Sequence, residues 1–420
     1  MTDLVGRQDI DAAVRRAVET SDITDIHTHL YAPAFGDLLL WGIDEMLTYH
    51  YIVAEFFRVV GDEVDSDRFW SLSKAGQAEL IWEHLFLRRS PISESCRGVI
   101  TCIQQLGIDP SDRDLAMIRR WFADTDVETH LDRVVELTHV RTMVMTNDPF
   151  DEAERPCWTD ALRYDERFRA ALRIDTLLVE WERACAALRG LGYDVQPDLS
   201  GPTEDEVRRF LDEWIARMRP VYLAASLPPS FRYPDASAGA QLLERCVLPV
   251  AAEHGLPMGM MIGVRRGVNP RLQLAGDAVG KADMASVGNL CSAFGQNRFL
   301  VTVLARENQH ELAVIARKFG NLHVFGCWWF VNVPSLTEEI TRLRIELLGH
   351  SFTPQHSDAR VLEQVIYKWH DAKVMLARVL TDKYAVLGQV GYPLTEGQIR
   401  GEVANLLGGS AMRFLSGGAS

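Results

Sequence analysis

No run in the 420 residues approaches the ~18 consecutive apolar residues of a membrane span. The N-terminal stretch Met1-Thr2-Asp3-Leu4-Val5-Gly6-Arg7 has no apolar signal core. The seven cysteines are scattered, odd in number and without a Cys-x-x-Cys pair. That excludes a disulfide framework or a zinc ribbon and fits reduced thiols, so a cytoplasmic location is expected. Basic residues are short, with 44 Lys and Arg against 58 Asp and Glu, a net charge of −14. Nucleic acid and anionic membranes are therefore poor partners, and an anionic small molecule must be met by local arginines or a metal. There is no internal repeat, and low complexity is confined to the Gly/Ser-rich tail at 416–420.

The remaining composition, 47% hydrophobic and 24% charged, is that of an ordinary soluble globular protein. In Asp25-Ile26-His27-Thr28-His29-Leu30, two histidines end an alternating β-branched run. Residues i and i+2 of a strand share a face, so His27 and His29 converge as a divalent-metal pair would, with Asp25 one step back on the same side. A helix is expected over 8–20. From 35 to about 135 the pattern is helical, broken at Gly61-Asp62, Ser90-Pro91 and Asp109-Pro110. Beyond it, short apolar runs alternate with helical stretches at 140–145, 168–174, 221–227, 258–264, 299–304, 322–328 and 352–356. With 23–27 these make eight, the rhythm of an α/β fold of the (β/α)8 TIM-barrel kind. An open doubly wound sheet is the alternative, though no Gly-x-Gly-x-x-Gly follows any of these runs. The expected organisation is 1–34 for the first helix and strand, 35–136 for a helical insertion contributing to the site, and 137–420 for the rest of the barrel and the C-terminal helices.

Barrel chemistry sits at the C-terminal strand ends. Strand one offers His27 and His29, strand three Arg173 and Asp175, strand five Arg265 and Arg266. Strand six offers Arg306 to His310, strand seven Trp328 and Trp329, and strand eight His356, Asp358 and Arg360. Asn147 and Asp148 after strand two read equally well as a cap and turn. Asp358 is the natural third ligand, since two imidazoles and a carboxylate leave coordination positions open for water or substrate. Asp358 and Arg360 could instead form a salt bridge capping the last helix. Of Trp328 and Trp329, strand alternation sends one toward the barrel and the other toward the helices, and at least one suits a flat apolar wall for a sugar.

These residues, together with Leu47-Thr48-Tyr49-His50-Tyr51, Ala171-Leu172-Arg173-Ile174-Asp175, Gly326-Cys327-Trp328-Trp329-Phe330 and His356-Ser357-Asp358-Ala359-Arg360, resemble the amidohydrolase superfamily and within it the uronate isomerases. The resemblance spans essentially the whole chain and is nearest to the shorter, divergent branch, which also reads Arg306-Glu307-Asn308-Gln309-His310. It implies reversible conversion of D-glucuronate to D-fructuronate or of D-galacturonate to D-tagaturonate, with one divalent ion, zinc the expected one, on His27, His29 and Asp358. Many uronate isomerases carry a histidine on strand five where this chain has Met261, so His310 or His356 would have to serve instead.

Aldose–ketose conversion moves a proton between C2 and C1 through an enediol and needs a grip on the C6 carboxylate. Tyr51, made acidic by a nearby arginine, and Asp358 are the expected proton carriers, with His50 beside them. Arg173 and Arg360 are the expected carboxylate or oxygen-pair clamps, and Arg266 is a weaker candidate for substrate contact. A metal-dependent hydrolase or lyase on a sugar lactone or related sugar acid is the alternative activity. A non-catalytic sugar-acid binder is a third reading. Self-association is common among large barrels, but no stripe in the sequence specifies it.

Overall fold

The computed structural model of the chain describes residues 6–418. Residues 1–5 and 419–420, parts of the leader and tail readings, lie outside the described residues. Seven parallel strands form one sheet in chain order. They are β1 (Ile23–Thr28), β2 (Val140–Asn147), β3 (Phe168–Arg173), β4 (Leu223–Leu227), β5 (Met258–Ile262), β6 (Phe299–Val303) and β7 (Leu322–Val324).

The eighth run closes the barrel without being a strand. Among the described residues, 352–359 bridge toward β7 at Thr353, which pairs with Phe325 just past the strand and donates its amide to the Val324 carbonyl at 3.0 Å. On the other side the Asp358 amide donates to the His27 carbonyl at 3.3 Å and the His29 amide donates to the Ala359 carbonyl at 2.7 Å. This closure excludes the open doubly wound sheet. Several strands are shorter than the apolar runs that predict them, the seventh most of all. Strand seven stops at Val324 because Gly326 takes φ +60°, and Pro354 lacks the N–H that a ladder on 352–356 would need.

Apolar residues from successive strands (Ile26, Val144, Ala171, Ala224, Met261 and Leu300) form an inner core distinct from the larger one between strands and helices. Ala411, Phe414 and Leu415 of the Ser410–Leu415 helix join that inner core. Arg298, just before β6, donates to the Phe414 carbonyl, so this helix plugs the N-terminal end of the barrel. Between β1 and β2 the chain runs through helices from Pro33–Leu38 to Val127–Thr138. No described helix is long and apolar enough to cross a membrane. All seven cysteines are free.

Candidate active site

The pairing register of β1 on β2 slips between Asp25 and Thr28. The expected sharing of one face by Asp25 and His27 therefore fails. Asp25 is fully buried and accepts from the Ser357 amide at 3.0 Å and the Trp369 indole at 2.8 Å, pinning the closing segment and the Gln364–Gln389 helix to β1.

His27 and His29 do converge, and Asp358 meets them. Asp358 Oδ1 is 3.5 Å from His27 Nε2 and 3.4 Å from His29 Nε2. Two side-chain hydroxyls, each donating to a backbone carbonyl, set the tautomers. The Tyr222 hydroxyl donates to the Ile26 carbonyl at 2.9 Å, so its contact with His27 Nδ1 at 3.1 Å is made by accepting the Nδ1 proton. Thr146 Oγ1 likewise donates to the Thr28 carbonyl at 3.0 Å and accepts from His29 Nδ1 at 2.8 Å. Both Nε2 lone pairs are thereby aimed at a carboxylate oxygen.

Burial, then the charge of Arg360, pushes His29 down to about 3, so its ring is neutral at physiological pH. Three electron-rich atoms facing one point, with His27 Nε2 and Asp358 Oδ1 buried and without hydrogen-bond partners among the described residues, suit a cation. Separations near 3.4 Å are also the edge of a tetrahedron with ~2.1 Å bonds, as zinc prefers. Asp358 itself has φ +55°, a left-handed conformation unusual for a non-glycine residue and held here by barrel closure.

Around this cluster stands an aromatic wall. Trp329 (φ +47°) lies in the 3-10 turn Trp329–Val331 beyond β7. Its ring stacks on Tyr51 at 6.1 Å and 12° and meets His50 edge-on at 5.3 Å. Because both tryptophans lie beyond the strand, alternation does not apply. Trp328 and Trp329 are both buried in the inner core, against the expectation that one faces the helices. His50 and Tyr51 start the His50–Val60 helix, and both rings reach Trp329 despite being adjacent. The expectation of an acidified Tyr51 is not met. Burial pushes its hydroxyl well above the usual tyrosine range, and Tyr49, Asp358 and Glu94 push the same way.

His356 is fully buried, with its ring 5.3 Å from that of His27 and neither nitrogen hydrogen-bonded among the described residues. Burial pushes it down to about 3. Its ring occupies the space left by Gly326, where a Cβ would come within 1.7 Å of His356 Nδ1.

The arginines divide. Arg360 has no ion pair among the described residues, contrary to the alternative of a cap with Asp358, and its charge depresses the basicity of His29 and His50. Arg173 is clamped by Asp175 at 2.6 and 3.2 Å, and that carboxylate also accepts from the Ser226 amide. Arg266 is half exposed, paired with Asp277, and 6.0 Å from the Trp329 ring centre.

Among solved structures, a uronate isomerase from Bacillus halodurans is 51% identical over 99% of this chain and 98% of that one, with a TM-score of 0.96. The chain belongs to the uronate isomerase family. A uronate isomerase from Thermotoga maritima (15% identity, 99% and 100% coverage, TM-score 0.76) and a glucuronate isomerase from Caulobacter crescentus (15%, 98% and 94%, TM-score 0.73) share the fold. No family model matches the chain, nor does any curated protein compared with it.

In this uronate isomerase fold, the strand-five position is filled by Met261, buried in the inner core. His310 does not substitute for a histidine there. It is exposed on the Gln309–Ala316 helix, while its neighbour Gln309 points inward and accepts from Arg344 at 2.8 Å. His356 is the histidine beside the cluster. Sequence reasoning passed over Tyr222, Thr146, Lys368 and Glu94. Lys368 and Glu94 form an ion pair with side chains only 6% and 10% exposed, and Lys368 Nζ lies 5.9 Å from the Tyr51 ring centre. Their only sequence signal is charge within otherwise buried helical faces, which many surface residues share.

Proposed function

We propose that this protein interconverts an aldohexuronate and its ketose isomer by proton transfer through an enediol, with D-glucuronate and D-galacturonate as the two candidate substrates. The single observation that carries the reading is the 51% identity to a uronate isomerase over nearly the full length of both chains.

The site chemistry supports it. The stacked Trp329 and Tyr51 rings offer a flat apolar wall for the carbons of a sugar, and the Arg360 guanidinium, without an ion pair among the described residues, offers a fork for a carboxylate or a vicinal oxygen pair. Tyr51, held protonated by burial, is the O–H donor to a sugar oxygen. Asp358, as a carboxylate, is the proton acceptor at the C2–C1 edge. His50, kept neutral by burial and by Arg360, hydrogen-bonds a sugar hydroxyl, and Arg173 borders the mouth from the end of β3. His27, His29 and Asp358 would hold one divalent ion, zinc by donor type. When bound it supplies positive charge that orients oxygens of the sugar acid. The hydrolase alternative needs no tyrosine over the substrate, whereas this site devotes a buried helix end to one. We further propose a cytoplasmic setting, consistent with free thiols throughout.

Proton NMR of the enzyme with each uronate in D2O tests the reading. Ketose should appear with deuterium at the carbon that receives the proton, and the faster substrate identifies the epimer. Tyr51→Phe should lower turnover by ~10²–10⁴ while the fold persists. No ketose from either sugar, or full turnover in that variant, would count against the mechanism.

A further inference from the structure

A cavity of about 590 Å³ lies away from the catalytic mouth, against the first residues of β3, the loop at 158–166 and the C-terminal end of the Thr203–Met218 helix. That volume falls within the ~300–1,000 Å³ typical of small-molecule sites. Four guanidinium groups surround it: Arg163 from the loop, Arg169 from β3, and Arg217 and Arg219 from the helix end. All four residues are exposed, and none forms an ion pair among the described residues.

Arginines elsewhere in this acidic chain are commonly paired, as Arg97, Arg119, Arg167 and Arg342 are. Here the partial uses are weak. Arg163 donates to the Asp160 and Leu162 carbonyls at 2.9 and 2.8 Å, and Arg217 stacks over Trp214 at 4.7 Å. The carboxylates of Asp160 and Glu166 also line the cavity, so the positive excess is two charges. Arg169 and Arg219, from different elements, both oppose the burial-driven upward shift of the half-buried Tyr164 hydroxyl, which lines the same cavity.

Four unpaired guanidinium groups around one hollow repel each other, and a multiply charged anion that bridges them removes that repulsion. The floor, with Phe168, Ala170, Trp158 and Met218 buried, presents no open aromatic face for a base to stack on. Recognition is therefore electrostatic and compact. We propose that this cavity is a second, non-catalytic site for a phosphate dianion, carried by a small phosphate ester or present as free phosphate.

Isothermal titration of the full-length enzyme at low salt, with glucose 6-phosphate, inorganic phosphate and glucose as probes, tests it. Both phosphates should bind, glucose should not, and affinity should fall as salt rises. Tighter binding of the ester by tenfold or more (~1.4 kcal/mol) assigns the site to phosphorylated sugars, and equal affinity assigns it to phosphate itself. Arg169→Ala/Arg219→Ala should weaken binding at least about tenfold. Isomerase turnover should be unchanged, and saturating D-glucuronate should not displace the phosphate. Absence of heat up to about 5 mM of either phosphate overturns the proposal. So does equal binding by the double variant, which would locate the anion at the catalytic arginines. A changed sedimentation mass of that variant also overturns it, since the arginines would then face a second copy.

Discussion

The Tyr222 hydroxyl, at the entrance to β4, donates to the Ile26 carbonyl and accepts the Nδ1 proton of His27, so one side chain fixes both the backbone and the tautomer of the first candidate ligand. Removing that acceptor frees the imidazole to rotate or to move its proton to Nε2. Tyr222→Phe should therefore bind zinc about 10–100-fold more weakly, measured by competition with a chromophoric chelator. An unchanged affinity would mean that Thr146 and Asp358 suffice.

Gly326 and His356 are a matched pair. Gly326→Ala places a Cβ 1.7 Å from His356 Nδ1 at a backbone φ of +60°. Thermal unfolding should show a loss on the order of 2–4 kcal/mol. In Gly326→Ala/His356→Ala the clash is gone and only the backbone strain and the lost ring remain. The double variant should be more stable than the sum of the single losses predicts.

Lys368→Met leaves Glu94 buried without its cation, beneath Tyr51. Denaturant unfolding should register roughly 3–5 kcal/mol of destabilisation. Lys368→Met/Glu94→Leu, which removes both charges, should recover most of it. If the double variant is stable but slow, the pair serves to hold Tyr51 in place.

Asp148, beyond β2, has its carboxyl pushed up to about 6 by burial, with the Arg173 charge only partly opposing. A carboxyl raised in the folded state binds more protons there than when unfolded. Its ionisation then erodes stability as pH climbs from about 4 to about 6, with the whole penalty present above that. Asp148→Asn keeps the acceptor for the Phe150 amide, bonded at 2.9 Å. It should raise stability at pH 7 by up to about 2–3 kcal/mol and leave it unchanged at pH 3.5, read as urea midpoints at the two pH values.

The barrel was legible because parallel strands covered on both faces need continuous apolar runs, and seven of the eight runs became strands. The His-x-His pair was legible for a local reason. Two residues apart on extended chain is a geometric statement, even where the ladder slips by one residue at Asp25. Asp358, 329 positions beyond His29, could be proposed only because a barrel joins its last strand to its first. Long-range packing decided the rest. Periodicity cannot tell that a glycine at φ +60° ends strand seven, that both tryptophans then fold inward, or that His310 faces solvent while Gln309 faces the core. Nor can it tell which arginines are free. Arg173 and Arg360 look alike in sequence, and only the positions of Asp175 and of the closing segment leave one clamped and the other open to a ligand. Local chain chemistry determined the strands, the histidine pair and the helix ends. The tyrosine's protonation, the tautomers and the unpaired charges depend on neighbours brought together from distant parts of the chain, because burial and Coulomb interactions act through space.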